Sequence, residues 1–235
     1  MNKIACNIII VVVILCGAAL LPQVADSQQR LTGSYLVYAA EKQIQTDKYE
    51  ISPGENVTDD FKIQGTDEHR RIETGLKSGI GGYYQKSLNG VPEMRASVDK
   101  DLISFYEHEA MVGALPVEQY VMFFDPTAYG HYGALLKYYD VAAGGKQLFT
   151  VVVPALQDYC QVEVERHGSD VMNTNGKSLN AAHYRMVLGK KESANVWTDQ
   201  RRVVALHLPT KGLFVVDASY TDMLKEIKRV VSKSL

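Results

Sequence analysis

Cysteine is scarce in this chain, and its positions limit how the fold can be stabilised. The three cysteines are Cys6, Cys16 and Cys160. The first two lie in an apolar leader that we expect to be removed, so the mature chain keeps Cys160 alone. A single thiol cannot form an intramolecular disulfide, so stability must come from the hydrophobic core. Cys160 alternates with Val162 and Val164 and is interpreted as a small core residue, not as a nucleophile.

The chain also lacks a hydrophobic run long enough for an ordinary membrane span. The longest uncharged apolar stretch, Ile8 to Leu21, has 14 residues, whereas a spanning helix needs about 20. A positively charged start precedes it, and the small residues Ala25 and Ser27 follow it. These features predict a signal peptide over residues 1–27, cleaved after Ser27, and a single β-rich domain over residues 28–235. The protein is therefore expected to be exported, either to a periplasm or out of the cell.

Neither the charge nor the motifs of the chain indicate a common catalytic or nucleic-acid-binding class. The formal net charge is −2, and a nucleic-acid-binding protein would call for a basic stripe. The sequence has no Gly-x-Ser-x-Gly motif, phosphate loop or dinucleotide fingerprint. The six histidines form neither His-x-His nor His-x-x-x-His spacing; they are residues 69, 108, 131, 167, 183 and 207. We therefore expect no cofactor, no metal and no catalytic residue.

What the chain does have is alternation of apolar and polar residues with a period of two. In YCQVEVER and AHYRMVL, apolar side chains alternate with polar ones, which is typical of half-buried strands. QLFTVVVP is evenly apolar and predicts a strand covered on both faces. The dipeptides Asn89-Gly90 and Asn175-Gly176 predict tight hairpins. The predicted fold is mainly β (α+β): a long curved antiparallel sheet or half-barrel with one or two helices packed on it.

Two segments predict helices. DPTAYGHYGALLKYYD carries Asp125 as a capping residue and Pro126 at the first helical position. YTDMLKEIKRVVSKSL at the C-terminus has one apolar stripe and a largely basic remainder. We expect this second helix to dock its stripe on the sheet, capped by Ser219 or Thr221.

The stretch NVWTDQRRVVALHLPTKGLFVV, residues 195–216, holds the single tryptophan, Trp197. Its pattern predicts three strands, separated by a turn at Asp199 and a Pro-x-x-Gly turn, with Trp197 packed across neighbouring strands. Leu206 and Leu208 are predicted to share a face with Val204 and Arg202. The charged residues Asp199, Arg201 and Arg202 are interpreted as a solvated turn.

This stretch resembles the last strands of uncharacterised secreted bacterial proteins that have a long curved antiparallel sheet, similar to periplasmic β-clam domains of the LolA-like type. The resemblance covers about the last third of the chain and the general strand-rich plan. It implies a concave apolar face covered by helices, a shape that some members use for acyl chains. No functional residue can be transferred from that family, because none matches residue by residue.

The candidate site residues are few. His131 lies in the first predicted helix among several tyrosines, including Tyr132, where a histidine can serve in acid–base chemistry but more often is a buried polar residue. Trp197 and Tyr132 are further candidates for ligand contact. Glu107 and Glu109 are predicted on one face of a strand, with His108 opposite, and are interpreted as a hydrated sheet face.

Three functional hypotheses follow. The first is a non-enzymatic envelope protein whose concave face binds a hydrophobic, lipid-like ligand or is plugged by its own helices. The second is a hydrolase-like enzyme that uses His131 with Asp125 or a nearby glutamate. The third is a protein-interaction module, and peripheral contact with the envelope membrane is compatible with the basic C-terminal helix. An apolar pocket favours the first hypothesis, and a cavity holding His131 beside a carboxylate favours the second. A closed core with an exposed apolar patch favours the third. The ligand and the oligomeric state stay open.

Overall fold

The computed structural model describes residues 30–52, 56–77, 80–117, 122–189, 192–200, 202–220 and 222–233. The predicted signal peptide lies outside these ranges. The described residues form one antiparallel sheet of 14 strands in the order β8-β7-β6-β5-β4-β3-β2-β1-β14-β13-β12-β11-β10-β9. The fold is therefore mainly β, as predicted. No helix in the described residues is long and apolar enough to cross a membrane.

The elements follow in chain order. The first eight strands are β1 (Leu31–Ala39), β2 (Lys42–Ile51), β3 (Val57–Ile63), β4 (His69–Lys77), β5 (Ile80–Leu88), β6 (Val91–Asp99), β7 (Leu102–Glu107) and β8 (Ala110–Pro116). After helix α1 (Tyr129–Leu136) come β9 (Lys146–Val153), β10 (Asp158–Thr174), β11 (Lys177–Leu188), β12 (Glu192–Asp199), β13 (Arg202–Leu208), β14 (Leu213–Asp217) and helix α2 (Met223–Lys233).

A single hydrogen bond shows how strongly the sheet curls. The Tyr159 hydroxyl donates to the carbonyl of Pro116 at 2.6 Å. Pro116 lies on β8, at one edge, and Tyr159 on β10, next to the other edge. In a flat sheet these strands would lie roughly 55 Å apart, because neighbouring strands are spaced about 4.8 Å. The sheet must therefore bend round on itself, although β8 and β9 do not pair in the described residues.

Alternation along the strands gives the sheet two buried faces. On β12, Val196 packs in the larger core together with α1, whereas its neighbour Trp197 packs in a second core together with α2. We call these the inner face and the outer face. Because successive strand residues point to opposite sides, each helix covers its own side of the sheet.

The hairpin turns agree with the prediction. Asn89 and Gly90 join β5 to β6 with φ angles of 50° and 80°, and Asn175 and Gly176 join β10 to β11 with 53° and 68°. Positive φ at both central positions is what a tight hairpin with the right-handed strand twist requires.

A bulge in β13 corrects the predicted face of Val204. Trp197 pairs with Ala205, and the next residue, Thr198, pairs with Val203, so Val204 is the extra residue. The bulge changes the phase of alternation. Leu206 and Leu208 lie on the inner face, and Val204 lies on the outer face instead of sharing theirs.

Two further strand predictions were wrong. The β9 strand is covered only at its C-terminal end: Val151 to Val153 are buried, but Leu148 is 63% exposed. Leu148 alternates with the inner-core residues of β9, and helix α2 on the outer face packs on β10, β13 and β14. His108 and Glu109 are not in a strand; they form the turn between β7 and β8, with φ angles of 44° and 72°. Glu107 and Glu109 therefore do not share a strand face.

Helix α1 begins at Tyr129, not at Pro126. The Asp125 Oδ1 atom accepts hydrogen bonds from the Thr127 N–H at 2.8 Å and the Thr127 hydroxyl at 2.6 Å. This local turn delays the helix by three residues, and Ala128 occupies the N-cap position. Asp125 therefore shapes the approach to α1 without capping it.

Helix α2 docks on the outer face, as predicted. Met223 and Ile227 are buried against Trp197 and its neighbours. Glu226 is buried as well, and its Oε2 atom accepts hydrogen bonds from the Asn173 N–H and from Arg229, both at 2.9 Å. The helix is thus held to β10 by polar contacts as well as by apolar packing.

The predicted cap of α2 is not formed by Ser219. The N–H and hydroxyl of Ser219 both donate to Asp217 Oδ1, at 2.9 and 2.6 Å. Thr221, the other candidate, lies outside the described residues. Asp222 precedes the helix with a φ of 60°, and its carbonyl accepts from the Glu226 N–H.

Candidate functional site

The segment that precedes and forms α1 fills the inner face of the sheet. All α1 residues from Tyr129 to Leu135 are buried. Gly130 makes the closest approach: a Cβ atom there would lie 2.9 Å from Asp59 Oδ2 and 3.0 Å from Val57 Cγ1. Glycine is therefore needed at this position for α1 to reach β3.

Three polar contacts fasten this segment to three adjacent strands. The Gly130 N–H donates to Asp59 Oδ1 on β3 at 2.8 Å. His131 Nε2 lies 3.3 Å from the Thr74 hydroxyl on β4. The Tyr84 hydroxyl on β5 donates to Asp125 Oδ2 at 2.7 Å. The inner face is thus plugged by the chain itself.

His131 is completely buried and locked in one neutral form. The Asp125 N–H donates to His131 Nδ1 at 2.9 Å, so Nδ1 carries no proton and the ring proton lies on Nε2, facing Thr74. Burial lowers the pKa of His131 to about 4, with the Asp125 charge acting in the opposite direction. One nitrogen of His131 accepts a hydrogen bond from a backbone amide, and the residue is 0% exposed. These properties favour a structural role, because general acid–base chemistry requires access to a substrate.

Asp125 is ionised, and hydrogen bonds from protein groups stabilise its negative charge. Burial acts to raise its pKa, but the bonds from Thr127 and Tyr84 outweigh burial and hold the pKa below its usual value. Burial, together with the charge of Asp125, raises the pKa of the Tyr84 hydroxyl. Asp125 and His131 are therefore coupled through backbone and sheet contacts, not through a side-chain acid–base bond.

A pair of buried aspartates beneath α1 was not predicted from the sequence. Asp47 on β2 and Asp59 on β3 are both 0% exposed. Asp47 pairs with Phe61 and Asp59 with Tyr49 across the two strands, so the carboxyl groups are diagonal neighbours on the inner face. The signal was present: the buried residues Tyr49 and Ile51 alternate in phase with Asp47.

The prediction of a solvated turn at Asp199, Arg201 and Arg202 is wrong for Arg202, and Arg201 lies outside the described residues. Arg202 forms an ion pair with Asp217, with Nη2 and Oδ2 at 2.7 Å, and the Asp217 side chain is 1% exposed. Because Asp217 is buried and Arg202 is half-buried, this ion pair between β13 and β14 is not part of a solvated turn. Asp199 accepts a hydrogen bond from the Tyr220 hydroxyl at 3.2 Å.

Tyr132, the residue after His131, lines a cleft between the α1 segment and the far strands of the sheet. Its ring packs edge-on against Phe124, with centroids 5.2 Å apart. The cleft is lined by Phe124, Tyr132, Val162, Met186, Leu188, Ser193, Ala194, Leu208, Thr210 and Lys211. The apolar members are mostly buried, whereas Thr210 and Lys211 are exposed. The cleft offers about 10 Å³ for the centre of a water molecule, roughly what one water needs.

Trp197 lies on the other face of the sheet. Its indole N–H donates to Asp170 Oδ2 at 2.8 Å, and His183 stacks on its ring with centroids 4.6 Å apart. It is 1% exposed, which confirms that it is buried. The three candidate residues thus do not converge: His131 and Tyr132 are inside, and Trp197 is outside. Among the described residues, no group of three or more metal-ligating side chains could hold a metal ion.

Comparisons with known proteins give a similarity of fold alone. No protein-family profile matches this chain, and no curated protein matches it. Among solved structures, it is similar to the β-barrel-like protein of the domain of unknown function DUF1849 from Brucella abortus. The TM-score is 0.49 and the sequence identity is 12%, over 80% of this chain and 93% of that chain.

Proposed function

We propose that this is a non-enzymatic exported protein that binds a hydrophobic, lipid-like ligand on the inner face of its curved sheet, in the manner of LolA-like β-clam domains. The observation that carries the proposal is the cleft beside Tyr132. Its buried walls are mostly apolar, and the polar side chains of Thr210 and Lys211 are exposed to solvent. This distribution suits an acyl chain with a polar head.

Ligand entry requires movement of the cleft walls, because the space present holds roughly one water. Met186 is an unbranched wall residue that can change rotamer at low cost. Tyr132 belongs to α1, so a shift of α1 away from the sheet widens the same cleft. The plugged inner face is accordingly the ligand-free state in this proposal.

The hydrolase hypothesis is less well supported. His131 is not among the residues that line the cleft, and its Nδ1 is occupied by the Asp125 amide. The interaction-module hypothesis would need a large exposed apolar patch. The exposed apolar side chains lie on several strands, for example Val91 on β6, Met111 and Val112 on β8 and Leu148 on β9, and individual exposed apolar residues are ordinary on protein surfaces.

Ligand identity is tested by native mass spectrometry of the protein purified from its own envelope, followed by solvent extraction. A co-purified lipid in stoichiometric amount supports the proposal. A protein of bare mass that also fails to bind fluorescent fatty acids and phospholipids in vitro contradicts it.

The location of the site is tested with a substitution whose larger side chain fills the cleft. Ser193 is half-buried in the cleft wall, and Ser193→Phe should weaken binding of a fluorescent fatty acid at least about tenfold, or about 1.4 kcal/mol. Ser104→Phe is the matched control, since Ser104 is also a half-buried strand residue but does not line the cleft. Equal loss in both variants would place the ligand elsewhere.

A further inference from the structure

The most unusual feature that the proposed function leaves unused is the Asp47–Asp59 carboxyl pair beneath α1. Each Oδ1 atom accepts a backbone N–H: Asp47 from Asp60 at 3.1 Å and Asp59 from Gly130 at 2.8 Å. Within the part of the chain that the structure describes, no group outside the pair forms a hydrogen bond with either Oδ2 atom, and both atoms are buried. Two unpaired carboxylates are costly in such a site, whereas one proton held between them supplies the missing donor.

Among the described residues, no cationic side chain forms an ion pair with either acid that would compensate a second negative charge. The titratable and charged groups that face the pair from the surrounding elements are Tyr35 (β1), Tyr49 (β2), Asp60 (β3), Arg70 (β4), Lys86 (β5), Asp125, Tyr129 and His131. Arg70 pairs with Glu68, and Lys86 acts on Asp125. Within the described residues, neither Asp47 nor Asp59 forms an ion pair with a cationic side chain.

Helix α1 is the element that a change in the protonation of this pair should affect most. It is only eight residues long, too short to be stable without its contacts. Gly130, in its first turn, donates its N–H to one of the two acids and packs directly on that carboxyl group. Two residues further on, Tyr132 forms a wall of the cleft.

We propose that the Asp47–Asp59 pair is a proton-operated latch: with a shared proton it holds α1 against the sheet, and with both carboxyls ionised it releases α1. Its consequence for ligand entry rests on the proposed function, because α1 contributes Tyr132 to the cleft. Repulsion between two buried carboxylates, relieved when water enters beneath α1, drives the release.

The direction of the pH response follows from the pair. Burial raises the pKa of Asp59 to about 7 and also raises that of Asp47, where the neighbouring Asp59 adds to the effect. A carboxyl group exposed by opening has a pKa of about 4. Opening therefore releases protons at pH values above about 4, so it becomes easier as the pH rises through the raised pKa values of the pair.

His131 responds in the opposite direction and must be separated. Its pKa is about 4 when buried and about 6.5 when exposed, so opening takes up a proton between these values and becomes easier as the pH falls. A comparison of the parent with Asp59→Asn at each pH cancels this contribution, because both proteins contain His131.

The test is amide hydrogen exchange of Tyr129–Leu136 in the full chain without ligand, expressed as protection factors at about pH 5.5 and about pH 8.5, on either side of the pKa near 7. The parent should lose protection relative to Asp59→Asn by about tenfold or more as the pH rises. Asp67→Asn, at an exposed carboxyl, should behave like the parent. A ratio that stays constant with pH overturns the proposal.

A second measurement covers the case in which Asp59→Asn fails to fold. Carboxyl ¹³C shifts of the unmodified protein report the titration of Asp47 and Asp59 directly. Titration midpoints near the ordinary value of about 4 for both groups overturn the latch, and midpoints raised clearly above that value for the pair support it. Neither measurement uses a ligand, so loss of the latch leaves ligand binding intact as a proposal, and a failure to bind lipid leaves the latch intact.

Discussion

At the scale of single residues, burial decides what the candidate side chains do. Trp197 and His131 are both rare or reactive residue types, and both are fully buried. The ring nitrogens of both side chains have hydrogen-bond partners within the protein. The Trp197 indole N–H donates to Asp170, and the two nitrogens of His131 contact the Asp125 N–H and the Thr74 hydroxyl. Their roles are therefore expected to appear in stability measurements.

Substitution of Trp197 should be strongly destabilising. Trp197→Ala removes a large buried side chain from the outer core and should cost about 3–5 kcal/mol of unfolding free energy. Trp197→Phe keeps most of the packing, leaves Asp170 without the indole donor, and should cost less. Chemical denaturation followed by circular dichroism measures both. An unchanged midpoint in Trp197→Ala would show that the side chain is exposed.

Substitution of His131 should change stability in a pH-dependent way. His131→Ala leaves the buried Asp125 amide without its acceptor, at a cost of about 1–3 kcal/mol near neutral pH. Because the folded pKa of His131 lies below its unfolded value, the stability it contributes is lost as the pH falls from about 6.5 to about 4. The difference between parent and variant should therefore shrink over that range. A constant difference would contradict the locked neutral form.

At the scale of elements, two helices of different design cover the two faces. Helix α1 is buried on almost every side. Hydrogen bonds to Asp59, Thr74 and Tyr84 hold it and the residues before it on the sheet. Helix α2 is amphipathic and rests on the outer core, with Glu226 fastened to β10. An isolated helix of eleven residues is marginal in water, so its contacts with the sheet are what keep it folded.

Removal of α2 should uncover the outer core. A chain lacking residues 220–235 exposes Trp197 and its neighbours, so it should melt at a lower temperature and bind a hydrophobic dye. Differential scanning calorimetry and dye fluorescence measure the two effects. If the shortened protein melted like the parent but lost binding to anionic vesicles, the helix would serve the membrane and not the fold.

At the scale of the whole molecule, the curl of the sheet brings distant strands together. The hydrogen bond from Tyr159 to Pro116 joins regions that are twelve strand positions apart in the order of the sheet. Tyr159→Phe should therefore destabilise the molecule by about 0.5–1.5 kcal/mol and lower amide protection in β8 more than in β1. Uniform loss of protection across the sheet would show that this contact does not hold the edge in place.

Processing is the remaining prediction at this scale. The small residues Ala25 and Ser27 after the apolar run predict that the exported protein begins at Gln28. N-terminal sequencing of the exported protein checks this directly. An intact Met1 or a lipid-modified Cys16 would be incompatible with it.

The sequence by itself determined the local features: the β-rich fold class, the Asn-Gly hairpins, and an apolar stripe on α2 that demanded a partner. These follow from periodicity and turn chemistry, which act over a few residues. Only the tertiary structure decided the bulge at Val204 and the meeting of Asp47 with Asp59. Each of these depends on register or on contacts between residues far apart in the chain, such as Gly130 with Asp59. Local alternation can place an aspartate on an apolar face, but pairing across strands and the covering helix decide which charge it meets there and how deeply it is buried.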